Sequence, residues 1–283
     1  MSTRSHPSVL LPSHYCRDRS VRLERVNFHY LRKDRFMTDT RFRTWMTDLC
    51  KPDGDRPEWP LLMQWMLQEQ LAKEQAVERT YDGKRILIPR HDHDYWEATG
   101  EKRATYGLYH NCLRETSGCL SIDGERYWLL SYEVPNQDSR RMQRADLLGL
   151  TLSGGLVVFE CKLENNGYAP ISSLLEGLDY LAALTSGPNF QRIQEEFPQL
   201  LNSIEKTPEG FEDVRPTRGA CHEVVVLAPS KYYETFSRSK RGTNGGGLGG
   251  LRDRSSNLRF GFASSELDSD KFFSPNVSWM TMV

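Results

Sequence analysis

The chain has 283 residues, of which 38% are hydrophobic and 27% charged, with a formal net charge of −1. This composition excludes a disordered chain, and no apolar run approaches the roughly 18 residues that a membrane-spanning helix needs. The near-zero charge excludes a globally basic nucleic-acid binder, so any surface for a polyanion must be local.

The length suits one elaborated domain, or one domain with a small appendage. Six cysteines, at positions 16, 50, 112, 119, 161 and 221, include no C-x-x-C pair. Reduced thiols in a cytoplasmic protein are the expectation, and the Asn276-Val-Ser278 sequon is then incidental.

Residues 1 to about 37 are polar and carry Arg17, Arg19, Arg22, Arg25, Arg32 and Arg35. This is either a basic arm that touches phosphates or, as the plainer reading, a solvated terminus with a short strand at Val26–Leu31. A helix starting at Thr38 carries Phe42, Trp45, Met46 and Leu49 on one face and ends at Lys51-Pro-Asp-Gly-Asp-Arg-Pro57. A longer helix runs from Trp59-Pro60 to about Arg79. This helical pair at 38–79 is read as packing on the core, with docking of a protein partner or a second copy as the alternative.

A short strand is expected at Arg85–Pro89. His91-Asp-His-Asp94 is a rival metal motif, but ligands normally gather from separate elements and no second histidine cluster exists, so it reads as a polar loop. The next helix spans Glu101 to Thr116 with Ala104, Leu108, Cys112 and Leu113 on its apolar side, and Gly118 lies where a C-cap glycine belongs. A turn at Asp123-Gly124 leads into a strand over Arg126–Pro135, followed by a polar loop through Arg141.

Two apolar runs, broken by Ser153-Gly154-Gly155, form a hairpin over Arg144–Leu163. On its second strand Leu156, Val158, Glu160 and Lys162 share one face, and Val157, Phe159, Cys161 and Leu163 the other. A two-residue turn would place Asp146 opposite Cys161, on the wrong face to join Glu160 and Lys162. An odd loop, Leu152-Ser153-Gly154 with Gly154 left-handed, would pair Thr151 with Gly155 and bring Asp146 opposite Glu160. Facing carboxylates about 5 Å apart at Cβ repel, and a cation between them removes that penalty. That arrangement is the geometry of a divalent-metal site.

Asn165-Asn-Gly167 ends the hairpin. A helix from Pro170 to about Thr185 follows, with Ile171, Leu174, Leu175, Leu178, Leu181 and Ala182 on one face. Another helix covers Gln191–Lys206, interrupted near Pro198. His222–Ala228 is a continuous apolar run, as for a strand covered on both faces. The glycine-rich 242–250 stretch lacks the spacing of a P-loop and is either a mobile loop or one that orders on nucleic acid. Leu258–Ala263 and Val277–Met282 are expected as edge strands.

Asp146 with Glu160-Cys-Lys162 resembles the signature of the PD-(D/E)xK nuclease superfamily, with Ala145 where the motif's name has proline. The similarity in element order covers roughly residues 102 to 229. It implies an α/β fold with a mixed sheet: a restriction-endonuclease-like core of helix-strand-strand-strand-helix-strand at 101–283, behind an N-terminal arm and helical extension at 1–100. The implied function is Mg²⁺- or Mn²⁺-dependent hydrolysis of nucleic-acid phosphodiesters, with DNA favoured over RNA.

In this reading Asp146 and Glu160 hold the metal, with the Cys161 carbonyl as a further oxygen ligand and waters completing the octahedron. Lys162 orients or helps deprotonate the attacking water and stabilises the developing charge. Glu115 and Glu133 are the candidates for an additional acidic ligand, and Glu176 is a weaker one. The alternative is a catalytically inactive nuclease-fold module that binds nucleic acid or docks into a larger assembly, in defence or repair. The structural alternative for the three charges is a buried ion pair, which rarely stabilises a fold over apolar packing.

Overall fold

The computed structural model describes residues 86–87, 99–135, 144–166, 170–185, 187–237, 253–254 and 258–280. The expected helices at 38–79, the His91–Asp94 motif and the glycine-rich stretch at 242–250 lie outside the described residues. So does nearly all of the expected extension at 1–100.

Helix α1 (Glu101–Thr116) leads into a meander of β1 (Cys119–Ile122), β2 (Glu125–Pro135), β3 (Arg144–Thr151) and β4 (Leu156–Cys161). Helices α2 (Pro170–Thr185) and α3 (Gly187–Ser203) connect to β5 (His222–Ala228), and α4 (Ser230–Ser237), β6 (Asp253–Arg254), β7 (Leu258–Ser264) and β8 (Asn276–Trp279) complete the described elements. The C-terminus of α1 closes as the glycine suggests: Ser117 is left-handed, and the Gly118 N–H donates to the Cys112 carbonyl at 2.9 Å. Pro198 lies inside α3, which runs through it without the expected interruption. Strand β1 and helix α4 were not anticipated.

The sheet is where the expectation fails. Its order is β5-β4-β3-β2-β1-β8-β7, and β7 pairs back onto β5, so seven strands close into a mixed barrel with β6 as an appendage on β7. The open restriction-endonuclease-like α/β sheet is therefore not the fold of this chain. The reason lies in the two C-terminal strands read as edges. β7 runs parallel to β5 over its whole length, from His222↔Leu258 to Ala228↔Ser264. β8 then joins β7 at Ala263↔Trp279 and β1 at Ile122↔Val277. β5 is buried throughout and apolar from Val224 to Ala228, and closure gives it a ladder on both sides and removes the free edges that such a strand would otherwise expose.

One core fills the closed sheet. Ala104, Leu108 and Cys112 of α1 pack with Leu147, Val157, Phe159, Cys161, Val225, Leu227 and Ala263. Leu113, expected on the same apolar side of α1, is instead 41% exposed. Inside the closed sheet Arg259 of β7 pairs with Glu223 of β5 at 3.2 Å and with Glu125 at the start of β2. The Tyr127 hydroxyl lies 2.9 Å from Glu223 Oε2 and 3.0 Å from Glu125 Oε2. Helix α2 covers the other face of β4 and β5, with Leu174, Leu178 and Leu181 buried. Gly177 permits this approach, because a Cβ there would meet Val224 at 2.6 Å.

The hairpin takes the odd loop. The Thr151 N–H donates to the Gly155 carbonyl at 2.8 Å, and Gly154 has φ +85°. Gly155 lies so close to Cys221 that an added Cβ would stand 1.9 Å from the Cys221 carbonyl oxygen. Gly155→Ala is expected to cost roughly 3 kcal/mol, the upper end for overpacking, because the neighbour is backbone and cannot swing away. Urea denaturation of the variant measures it.

His222 ties β4 to the chain before β5. The Leu156 N–H donates to its Nδ1 at 3.0 Å, so Nε2 carries the proton that is donated to the Arg218 carbonyl at 3.1 Å. Burial holds its pKa below the ordinary value of 6.5, against the opposing hydrogen bond to Arg218. A lowered histidine pKa gives stability that is present above 6.5 and lost as the pH falls below it. The difference in stability between wild type and His222→Gln is therefore expected to shrink from pH 7 to pH 5, as followed by denaturation midpoints.

Two residues ahead of α1 are held by α3. The Ile86 and Leu87 N–H groups donate to Glu196 Oε2 at 2.7 and 2.8 Å, and both side chains are buried. They form a bend, and the rest of the stretch expected as a strand at Arg85–Pro89 lies outside the described residues.

Candidate active site

The register that the hairpin adopts decides which side chains meet. Leu147 pairs with Phe159, so one further step along each strand sets Asp146 across from Glu160. On the other side of β3, Tyr132 pairs with Leu147 and Val134 with Ala145, which sets Glu133 across from Asp146. Three neighbouring strands thus bring Glu133, Asp146 and Glu160 into one row.

Asp146 is anchored by the backbone of the facing strand: its Oδ2 accepts the Cys161 N–H at 2.8 Å. Glu160 lies beneath α2, and its Oε1 accepts a hydrogen bond from Lys162 Nζ. Its other oxygen, Oε2, is buried and has no hydrogen-bond partner. A buried carboxylate oxygen in that condition calls for an explanation, and a bound ion can be one. Lys162 is 1% exposed. Beyond Glu160 its ammonium lies 3.6 Å from Glu101 Oε1 and 3.7 Å from Glu176 Oε2. Those two acids are steadied in turn: Asn166 Nδ2 donates to Glu101 at 3.1 Å, and the Tyr180 hydroxyl donates to Glu176 at 3.1 Å.

Four carboxyl groups therefore surround one ammonium, and the cluster cannot ionise fully without compensation. Burial pushes Asp146 up to about 7, with Glu101 and Glu133 adding to the rise and Lys162 and the Cys161 amide opposing it. Burial likewise holds Glu160 well above the ordinary carboxylate range, Asp146 and Glu176 reinforcing it against Lys162. For Lys162 burial acts downward, but the four carboxylates outweigh it and keep the ammonium well above its usual value. Tyr180 is raised by burial and by Glu160, Glu176 and Asp146, so it stays a donor. A lysine held in its charged form suits the expected role of orientation and charge stabilisation.

The auxiliary acids come out differently from the sequence reading. Glu115 is exposed near the far end of α1, paired with Arg114 at 3.1 Å. It stands 14 residues, or about 21 Å, along the helix from Glu101 and takes no part in the site. The acid that α1 does supply is Glu101, which was missed. In sequence it is an ordinary first-turn acid, where a negative charge suits the helix dipole. Glu133 faces Asp146 but spends its Oε2 on Lys102 and Arg144, each at 3.4 Å, so it is a neighbouring charge more than a ligand. Glu176, the weaker candidate, does reach the cluster through Lys162.

Among the described residues, no three His, Cys, Asp or Glu side chains converge closely enough to hold a metal ion. The cysteine of the motif is not a thiol ligand: Cys161 is buried among the core residues, and burial pushes its pKa far up. Mg²⁺ does not require three side chains, since it is commonly held by one or two carboxylates and keeps several waters. Asp146 with Glu160, whose Oε2 is unpartnered, fits a hydrated ion of that kind. Comparison with known proteins finds no family model, no curated protein and no solved structure that matches the chain.

Proposed function

We propose that the chain is a metal-dependent nuclease that hydrolyses phosphodiester bonds of nucleic acid, with DNA as the favoured substrate. The observation that carries the reading is the juxtaposition of Asp146 and Glu160 across β3 and β4 beside a charged Lys162, with Glu160 Oε2 left without a partner. The residue set supports it and the fold does not, because the open sheet implied by the PD-(D/E)xK resemblance is replaced by a closed barrel.

In this mechanism Asp146 and Glu160 would hold Mg²⁺ or Mn²⁺, with the Cys161 carbonyl as an additional oxygen ligand. The ion, when bound, would supply a more acidic water and neutralise charge on the phosphoryl oxygens. The Cys161 N–H fixes the orientation of the Asp146 carboxylate. Lys162 contributes a permanent positive charge next to the carboxylate row, where charge develops on the transition state. Glu101 and Glu176 position that ammonium, and Tyr180 positions Glu176.

Metal binding must displace the proton that Asp146 carries below about 7, so it is proton-linked. Mg²⁺ at about 100 times its Kd is expected to stabilise the protein by about 2.7 kcal/mol at pH 8, and much less at pH 5. Thermal denaturation with and without Mg²⁺ at the two pH values measures this. No Mg²⁺ effect at pH 8 counts against the metal site.

One observation favours a second reading. Lys162 already sits among the carboxylates as a resident cation, which is what a non-catalytic binding or assembly module would retain as a structural charge cluster. That reading expects binding of nucleic acid or of a protein partner without cleavage.

A further inference from the structure

Beside the carboxylate row, two cations from unrelated elements meet on one oxygen. Lys102, in the first turn of α1, and Arg144, the first residue of β3, each reach Glu133 Oε2 at 3.4 Å. The Lys102 side chain is 59% exposed and that of Arg144 21%, whereas the Glu133 side chain is only 6% exposed. The carboxylate is therefore the buried floor, with Lys102 exposed above it and Arg144 partly exposed beside it. Both contacts are long against the 2.7–2.9 Å of a well-made charge-assisted hydrogen bond, because a single oxygen serves two donors that approach from different elements. A phosphate has two non-bridging oxygens to offer and can satisfy both donors at once. Arg144 is two residues from Asp146 on the same face of β3, about 7 Å along the strand. That spacing sets the pair next to the carboxylates, not over them.

The basic residue next to Lys102 shows the contrast. Arg103 Nε donates to the Asp270 carbonyl at 3.2 Å and its guanidinium lies over the Phe272 ring, so it is spent on holding the 265–275 connection. Among the described residues Lys102 has no comparable structural task beyond Glu133.

We infer that Lys102 and Arg144 form a phosphate clamp that grips the nucleic-acid backbone one step from the bond cleaved, and that Glu133 is the internal anion that occupies the clamp until a phosphate replaces it. The inference rests on the nuclease reading above and assigns its substrate contacts. It also gives Glu133 a role other than metal ligation.

The test is fluorescence anisotropy with a labelled duplex oligonucleotide and the full chain in EDTA, so that neither cleavage nor metal contributes. Each phosphate contact on a duplex adds about 0.9 to the slope of log affinity against log salt. Lys102→Ala and Arg144→Gln are each expected to lower that slope by about 0.9 and to weaken binding roughly eightfold at 0.1 M salt. Glu133→Gln is expected to tighten binding. Arg114→Ala, in the surface pair at the other end of α1, is expected to bind as wild type. Because removing Arg144 leaves Glu133 less compensated, the Glu133→Gln/Arg144→Gln double variant is measured alongside, and it too must show the reduced slope.

Wild-type slopes in the Lys102 and Arg144 variants, or weaker binding in Glu133→Gln, overturn the clamp while leaving the nuclease reading intact if the wild type binds and cleaves. No binding by the wild type at any salt overturns the nuclease reading and the clamp together.

Discussion

Lys162→Met is expected to destabilise the protein by about 3–5 kcal/mol at pH 8, the cost of leaving buried charge without its partner. The ammonium is 1% exposed and stands against Glu160, Glu101 and Glu176, so its removal strips the buried Glu160 of the cation it pairs with. The loss is expected to shrink on acidification. Without Lys162 the pKa values of these carboxyl groups rise further, the folded state takes up protons more readily than the unfolded one, and stability increases as the pH falls. Glu160→Leu/Lys162→Met, which removes both charges from beneath α2, is expected to recover most of the loss, since apolar groups often replace a buried pair at little cost. Chemical denaturation of the two single variants and the double variant, at pH 5 and pH 8, closes the cycle. A Lys162→Met protein as stable as wild type at pH 8 would mean that the cluster is already fully protonated.

Asp146→Asn is expected to separate activity from stability in the opposite direction. Metal-dependent cleavage should fall by about 10²–10³-fold, the scale seen when one preorganised electrostatic group is removed from an active site. Stability at pH 8 should hold or rise. Asp146 is raised from 3.8 to about 7, so the native state favours its protonated form. A carboxyl raised in this way contributes stability that is fully present below its unfolded pKa and is lost as the pH climbs through about 7. The amide carries no charge and keeps an acceptor for the Cys161 N–H, so the variant should lose that slope between pH 4 and pH 8. A residue that is dispensable for folding at the pH where it is indispensable for cleavage belongs to the chemistry.

Much of the site was legible because it is local. The left-handed Gly154 and the alternation along Leu156–Leu163 were enough to state both registers, and the one adopted brings Asp146 to Glu160. The helix over Glu101–Thr116 was bounded by its periodicity and by Gly118. The acid that α1 contributes was misassigned because periodicity gives a helix its faces but not which end meets the sheet's functional edge. Glu115 and Glu101 lie at opposite ends of the same helix.

Closure of the barrel was not legible, because it depends on pairings between distant segments. Leu258–Ser264 carries the apolar residues of a strand, but nothing local says whether it adds to an edge or runs between β5 and β8. The pairing of Arg259 with Glu223 and Glu125 that accompanies closure joins residues 36 and 134 positions apart. Charge type alone cannot reveal such a partner. The convergence of Lys102 and Arg144 on Glu133 is of the same kind: each is an unremarkable surface cation until β2, β3 and α1 are put together.

The measurement that bears most directly on the central claim is cleavage of a mixed panel of circular and linear DNA and RNA by the full chain, with Mg²⁺, with Mn²⁺ and with EDTA, beside Asp146→Asn. Cleavage by the wild type with either metal, none with EDTA, and a loss of about 10²–10³-fold in a folded Asp146→Asn protein are expected. Cleavage that persists in Asp146→Asn, or a folded wild type that cleaves nothing with either metal, would contradict the claim.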